Sequence, residues 1–133
     1  MRHEQGSVTV EAVLLAPVLA IGFLSIVYGS RLVASSQAVQ LAADHGARTA
    51  STVRYSKMDE VGVEAALHYL DEYRSGCSDA RVNVAVDQES DRPSVLVEVE
   101  CEVDTSGLSF LGLMPKTLRA HSIEVVDVWR ANE

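Results

Sequence analysis

The chain has 133 residues, a formal net charge of −8 at pH 7 and 47% hydrophobic residues. That length leaves room for one domain at most, and the acidity excludes a surface built for the phosphate backbone, so no nucleic acid is expected as a direct partner. The acids gather in the C-terminal half, at Asp59, Glu60, Asp71 and Glu72 and in the run Glu98, Glu100, Glu102, Asp104, where a solvated face accounts for them.

The first element is an uncharged apolar run from Ala12 to Gly29, preceded by Gly6-Ser7-Val8-Thr9-Val10-Glu11. Counted from Val8 to Ser30 it holds about 23 residues, roughly 34 Å of helix against a bilayer hydrocarbon core of ~30 Å. A secretory signal would want a positive start, a shorter apolar stretch and a small-x-small cut site. Here Arg2 and Glu4 cancel, and Leu32-Val33-Ala34 is a poor cut site. Arg2 and His3 precede the span while Arg31 and Arg48 follow it, so the positive-inside count does not orient it.

Glu11 stands at the mouth of this run. A carboxylate costs roughly 2.5–3.5 kcal/mol at a bilayer centre and less near the edge, so it wants a partner. Cutting the chain after Gly6 would give Ser7 a free amine four residues before Glu11, the spacing that brings two groups onto one helix face. The positive end of the helix also favours Glu11 in the first turn, by roughly 0.3–1 kcal/mol, and that alone would account for an acid here. Pro17 removes one helix hydrogen bond and is expected to kink or loosen the turn before it. Gly22 and Gly29 lower the stiffness further.

The helix is expected to continue beyond Gly29, because residues 31–53 contain no proline and many alanines. Ala34, Ala38, Ala42, Gly46 and Ala50 form a ridge of small residues that lets another backbone come close. Gln37, Gln40, Asp44, Arg48 and Ser51 read as the wetter face, with Asp44 and Arg48 at ion-pair spacing. A second helix should open at a capping box, Ser56-Lys57-Met58-Asp59, and run to about Arg74. Met58, Val61, Ala65, Tyr69 and Tyr73 share its apolar face, and Ser75-Gly76 ends it.

The period then changes from helical to alternating. Val82, Val84 and Val86 alternate with polar or small residues. Gln88 to Pro93 is a polar turn, and Val95, Val97, Val99, Cys101 and Val103 alternate with Glu98, Glu100 and Glu102. The two runs predict a hairpin with one apolar and one acidic face. A third strand is expected from about Leu118 to Arg130, with a bulge where alternation slips at Val125-Val126. Between the last two strands, residues 108–115 are too apolar for an ordinary exposed loop and are expected to close the core or lean on the first helix. The fold class is therefore α+β: a long N-terminal helix, a second helix and a small antiparallel sheet of about three strands.

Cys77 and Cys101 fit no zinc spacing. With Cys77 expected at a helix end and Cys101 in a strand packed beneath it, the pair can form a disulfide in an oxidising compartment, stabilising the domain by about 3–4 kcal/mol. The alternative is two small buried hydrophobes that never meet. His3, His45, His68 and His121 are scattered without metal-ligand spacing, and there is no phosphate loop or nucleophile elbow. No metal, cofactor or enzymatic activity is expected.

The wording Gly6-Ser7-Val8-Thr9-Val10-Glu11 followed by Leu14-Leu15-Ala16-Pro17 resembles the processing site of type IV pilins and pseudopilins, and within them the TadE-like minor subunits of the Tad (tight adherence) pilus. The resemblance is specific over residues 6 to about 50. It implies that prepilin peptidase cuts between Gly6 and Ser7, that Glu11 pairs with a mature N-terminal amine during assembly, and that the leader faces the cytoplasm. It also implies the remaining partners: other pilin subunits through the first helix, a membrane assembly platform and the lipid bilayer. The chain would start in the cytoplasmic (inner) membrane with its head outside and pass to a cell-surface pilus. The organisation expected is a leader at 1–6, a transmembrane helix at 7–30, its amphipathic continuation at 31–55 and an extracytoplasmic head at 56–133. An uncleaved single-pass protein with an extracellular binding domain is the alternative, and a soluble domain freed by signal peptidase is a further one.

Overall fold

The computed structural model describes residues 5–73, 76–103, 112 and 114–132, with the backbone alone for 5–9. The elements run α1 (Gln5–Ala50), a 3-10 turn (Tyr55–Lys57), α2 (Met58–Glu72), β1 (Cys77–Asp87), β2 (Ser94–Val103), β3 (Lys116–Val125) and α3 (Val128–Ala131). The class is α+β, as the change of period implied. The chain divides into two units, Met1–Leu32 and Val33–Glu133.

In the second unit, the three strands form an antiparallel meander in the order β1-β2-β3. The inward side of β2 carries the core: Val95, Val97, Val99 and Cys101 are fully buried and Val103 nearly so. Each such valine contributes roughly 1.5–3 kcal/mol by leaving water. From α1, Val39, Ala42, Ala43, Ala47 and Ala50 join this core, and from α2, Met58, Ala66 and Leu70. The buried stripe of α2 is Met58-Gly62-Ala66-Leu70, with Val61, Ala65 and Tyr69 half-buried at its edge and Tyr73 exposed. The apolar stripe read from the sequence is thus centred one residue off, because Gly62 faces the sheet and α1.

Small residues let the layers meet. A Cβ added at Gly46 would lie 3.0 Å from the Gly62 carbonyl oxygen, 3.1 Å from the Ala66 Cβ and 3.2 Å from Val97 Cγ1. One added at Gly62 would lie 3.1 Å from Val84 Cγ2 and 3.3 Å from the Ala50 Cβ. The lower half of the small-residue ridge, Ala42, Gly46 and Ala50, therefore serves the chain's own head.

Several local expectations are corrected. The capping box does not form: Ser56 lies inside the 3-10 turn, Lys57 is the N-cap of α2, and no side chain caps it. The 3-10 turn absorbs Ser56, leaving Arg54 as the extended residue before it, and arginine has no acceptor to offer. Helix α1 stops at Ala50, where Ser51 and Thr52 hydroxyls donate to the Arg48 and Thr49 carbonyls at 2.9 Å each. These bonds satisfy carbonyls that a helix end leaves orphaned. Ser51, read as wet, is buried. Asp44 and Arg48 are not paired; Asp44 Oδ1 accepts from Gln40 Nε2 at 3.2 Å.

The third strand ends at Val125 rather than running to Arg130. The slip at Val125-Val126 is its terminus, not a bulge. The Val126 amide donates to the Pro93 carbonyl at 2.8 Å and the Asp127 amide to the Ser51 carbonyl at 3.3 Å. Asp127 Oδ1 then caps α3 by accepting from the Trp129 amide at 3.2 Å. A register shift does occur, in β1 between Ser78 and Arg81, where Asp79 has φ of 51°. Of the apolar segment 108–115, only Gly112, Met114 and Pro115 are described, and Met114 is 83% exposed; its expected role lies outside the described residues.

The outer face of the sheet is not purely acidic. The register sets Glu100 opposite Arg81 on one side and Arg119 on the other, and Glu98 opposite Asn83 and His121. Arg119 Nη2 meets Glu100 Oε1 at 3.0 Å. Such a partly exposed pair is worth about 0–1 kcal/mol, enough to offset repulsion along β2 without anchoring the fold.

Candidate processing and assembly segment

The first unit consists of the start of α1. Its most apolar 18-residue window has a mean hydropathy of 2.4, and none of that window is buried within the chain. A core helix of a soluble domain would hide such a surface; here Leu14, Val18, Phe23 and Ile26 are each about two-thirds exposed. Among the described residues this is the one helix long and apolar enough to cross a membrane.

The polar groups within it are handled locally. The Ser25 hydroxyl donates to the Ile21 carbonyl and the Ser30 hydroxyl to the Val27 carbonyl, each at 2.8 Å. Back-bonding of this kind lets serine sit in hydrocarbon without an unpaired donor. Pro17 lies inside the continuous helix, and its missing amide leaves the Val13 carbonyl without its usual intrahelical partner. Among the described residues, nothing lies within 4 Å of a Cβ placed at Gly22 or Gly29. Packing among the described residues therefore does not require glycine at either position, in contrast to Gly46.

The sequence-derived processing residues, Gly6 and Ser7, have their backbone in the first turns of α1, and their side chains lie outside the described residues. Glu11 is one turn further on and exposed, with no hydrogen-bond or ion-pair partner among the described residues. The Cys77 and Cys101 sulfurs are joined in a disulfide with a Cα–Cα distance of 5.5 Å. Its setting differs from the helix-over-strand arrangement expected. Cys77 opens β1 opposite Val103, so the bridge links neighbouring strands next to the register shift.

Sequence reasoning passed over the serine back-bonds, although Ser25 and Ser30 were visible in the run. It set Tyr69 and Tyr73 on one face of α2 but passed over the approach of His45 to Tyr69, for which a single sequence carries no signal.

Residues 6–48 match the family model for TadE-like protein. Over these residues the arm is similar to that of TadE-like proteins. The match covers about a third of the chain and takes in Gly6, Ser7, Glu11 and the whole apolar run. The TadE-like family is a family of pilus structural components. No curated protein and no solved structure matches the chain.

Proposed function

We propose that the chain is a minor pilin or pseudopilin, cut between Gly6 and Ser7 by prepilin peptidase and then assembled into, or priming, a Tad-type pilus. The observation that carries this reading is the TadE-like match over a helix whose apolar surface the chain itself leaves uncovered. Before cutting, the leader faces the cytoplasm and the head lies beyond the inner membrane. Cutting produces an ammonium group at Ser7. Glu11, exposed and unpartnered among the described residues, then takes up that charge or the equivalent one of a neighbouring subunit. Because Gly6 and Ser7 sit in helical backbone, the peptidase must first unwind the opening turn. Helix ends fray readily, and glycine makes this turn weaker still.

Partners on this reading are the peptidase, other pilin subunits along α1, the membrane assembly platform and the bilayer. Mass spectrometry of the chain recovered from its host tests it. A mature N-terminus at Ser7 supports the pilin; an intact Met1 in cells with active peptidase overturns it in favour of an uncleaved single-pass protein. In Glu11→Ala, cleavage persists while incorporation into filaments fails. Normal filaments from that variant would remove the charge-pairing role of Glu11.

A further inference from the structure

In the head, α1 and α2 border a groove that the pilus reading leaves unused. It has a volume of about 250 Å³ and is lined by Leu41, Asp44, His45, Arg48 and Tyr69. Aromatic rings run along it. The His45 and Tyr69 ring centroids are 5.6 Å apart, and Tyr73 stacks on Tyr69 at 4.4 Å with an interplanar angle of 26°. Tyr73 does not line the groove; it stacks on one face of Tyr69 and holds that ring in place.

Two hydrogen-bonding groups stand beside the rings. Asp44 and Arg48 are one turn apart yet do not pair with each other. Asp44 uses Oδ1 for Gln40 and retains acceptor capacity on its other oxygen. The Arg48 guanidinium, with five donors, has no partner among the described residues. The site thus offers two aromatic rings inclined at 33°, an acceptor and a donor fork within one small groove.

We propose that this groove binds a single pyranose ring of a carbohydrate. A pyranose has a face of C–H groups that packs on an aromatic ring, and hydroxyls around its rim that both donate and accept. Asp44 takes hydrogen bonds from such hydroxyls, Arg48 gives them, and the His45–Tyr69 platform covers the C–H face. Other ligand classes fit less well. A cation would meet Arg48, an anion would meet Asp44, and a wholly apolar ligand would strip water from both charges without replacing it. The groove is smaller than the roughly 300–1,000 Å³ typical of drug-sized sites, which limits it to one ring.

The test uses the full chain in lipid nanodiscs, free of sugar-headed detergent. The probes are the methyl glycosides of glucose, galactose, mannose and N-acetylglucosamine, read by saturation-transfer NMR. Ring C–H protons of at least one probe receive saturation, with a millimolar dissociation constant. Arg48→Gln and Asp44→Asn each weaken binding tenfold or more, and Tyr73→Ala weakens it threefold or more. Arg48 and Tyr73 are exposed, so a thermal melt unchanged from the parent separates loss of binding from loss of fold. The proposal is overturned if none of the four probes is saturated, or if binding survives unchanged in Arg48→Gln and Tyr73→Ala. The readout is on the purified chain, so it succeeds or fails independently of leader cleavage and filament assembly.

Discussion

Gly46 is where the head tolerates an added atom least. A methyl group there meets the Gly62 carbonyl oxygen, the Ala66 Cβ and Val97 Cγ1 at 3.0, 3.1 and 3.2 Å. The first is backbone and the second a side chain with no rotamer, so neither can turn aside. In Gly46→Ala, the gain in helix propensity of about 0.8–1.0 kcal/mol opposes an overpacking cost of about 1–3 kcal/mol, for a net loss of about 0–2 kcal/mol. In Gly46→Leu three further carbons must enter the same space, and the layers have to separate. We expect a loss above ~3 kcal/mol. At about 4–8 °C per kcal/mol for a domain of this size, that lowers the melting temperature by more than ~12 °C. The assay is thermal unfolding of the full chain in a membrane mimetic, followed by near-ultraviolet circular dichroism of the head's aromatic residues. Gly22→Leu serves as the control, since among the described residues nothing lies within 4 Å of its added Cβ. A Gly46→Leu melt within ~2 °C of the parent would show that α1 and α2 do not cross there, and the packing argument would fail.

Reducing the Cys77–Cys101 bridge should lower stability by about 3–4 kcal/mol for a loop of this length, read as an earlier urea midpoint with reductant present. An unchanged midpoint would mean the bridge is absent or without effect. Gly22→Leu and Gly29→Leu should leave the head's melt unaltered but reduce recovery of the chain with filaments at least tenfold. Normal recovery would show that no neighbouring backbone approaches the arm at either glycine.

The sheet was the most legible part of the fold. Val95 to Val103 alternates over a whole strand, and a half-buried strand writes that period directly into sequence. Helix α1 was legible for a similar reason, since residues 31–53 contain nothing to stop it and the apolar run could only be buried or placed in lipid. Features set by neighbours distant in the chain were harder to read. Ser56 could not act as a cap because the preceding turn tightened into 3-10 geometry. The slip at Val125-Val126 read as a bulge, and the Pro93 and Ser51 carbonyls that make it a strand end lie far away in sequence. Asp44 and Arg48 have ideal spacing, yet Gln40 takes the carboxylate. The outer side of β2 read as a purely acidic face because strand register, which brings Arg81 and Arg119 beside Glu100, is invisible in a single strand. At the processing segment, Gly6, Ser7 and Glu11 stood out by position alone, while the contrast between crowded Gly46 and open Gly22 needed coordinates.

The irregularity at the start of β1 has a bearing on how many copies can be crowded together. A three-stranded meander has two unpaired borders, and a straight, bare border invites another chain to zip onto it. Here one border is bent by the shift between Ser78 and Arg81 and tied down by the bridge at Cys77. The other carries Lys116 and Arg119, and its His121 carbonyl is already occupied by Gln40. Heads of this design can be held at high local density without fusing into a continuous cross-chain ribbon.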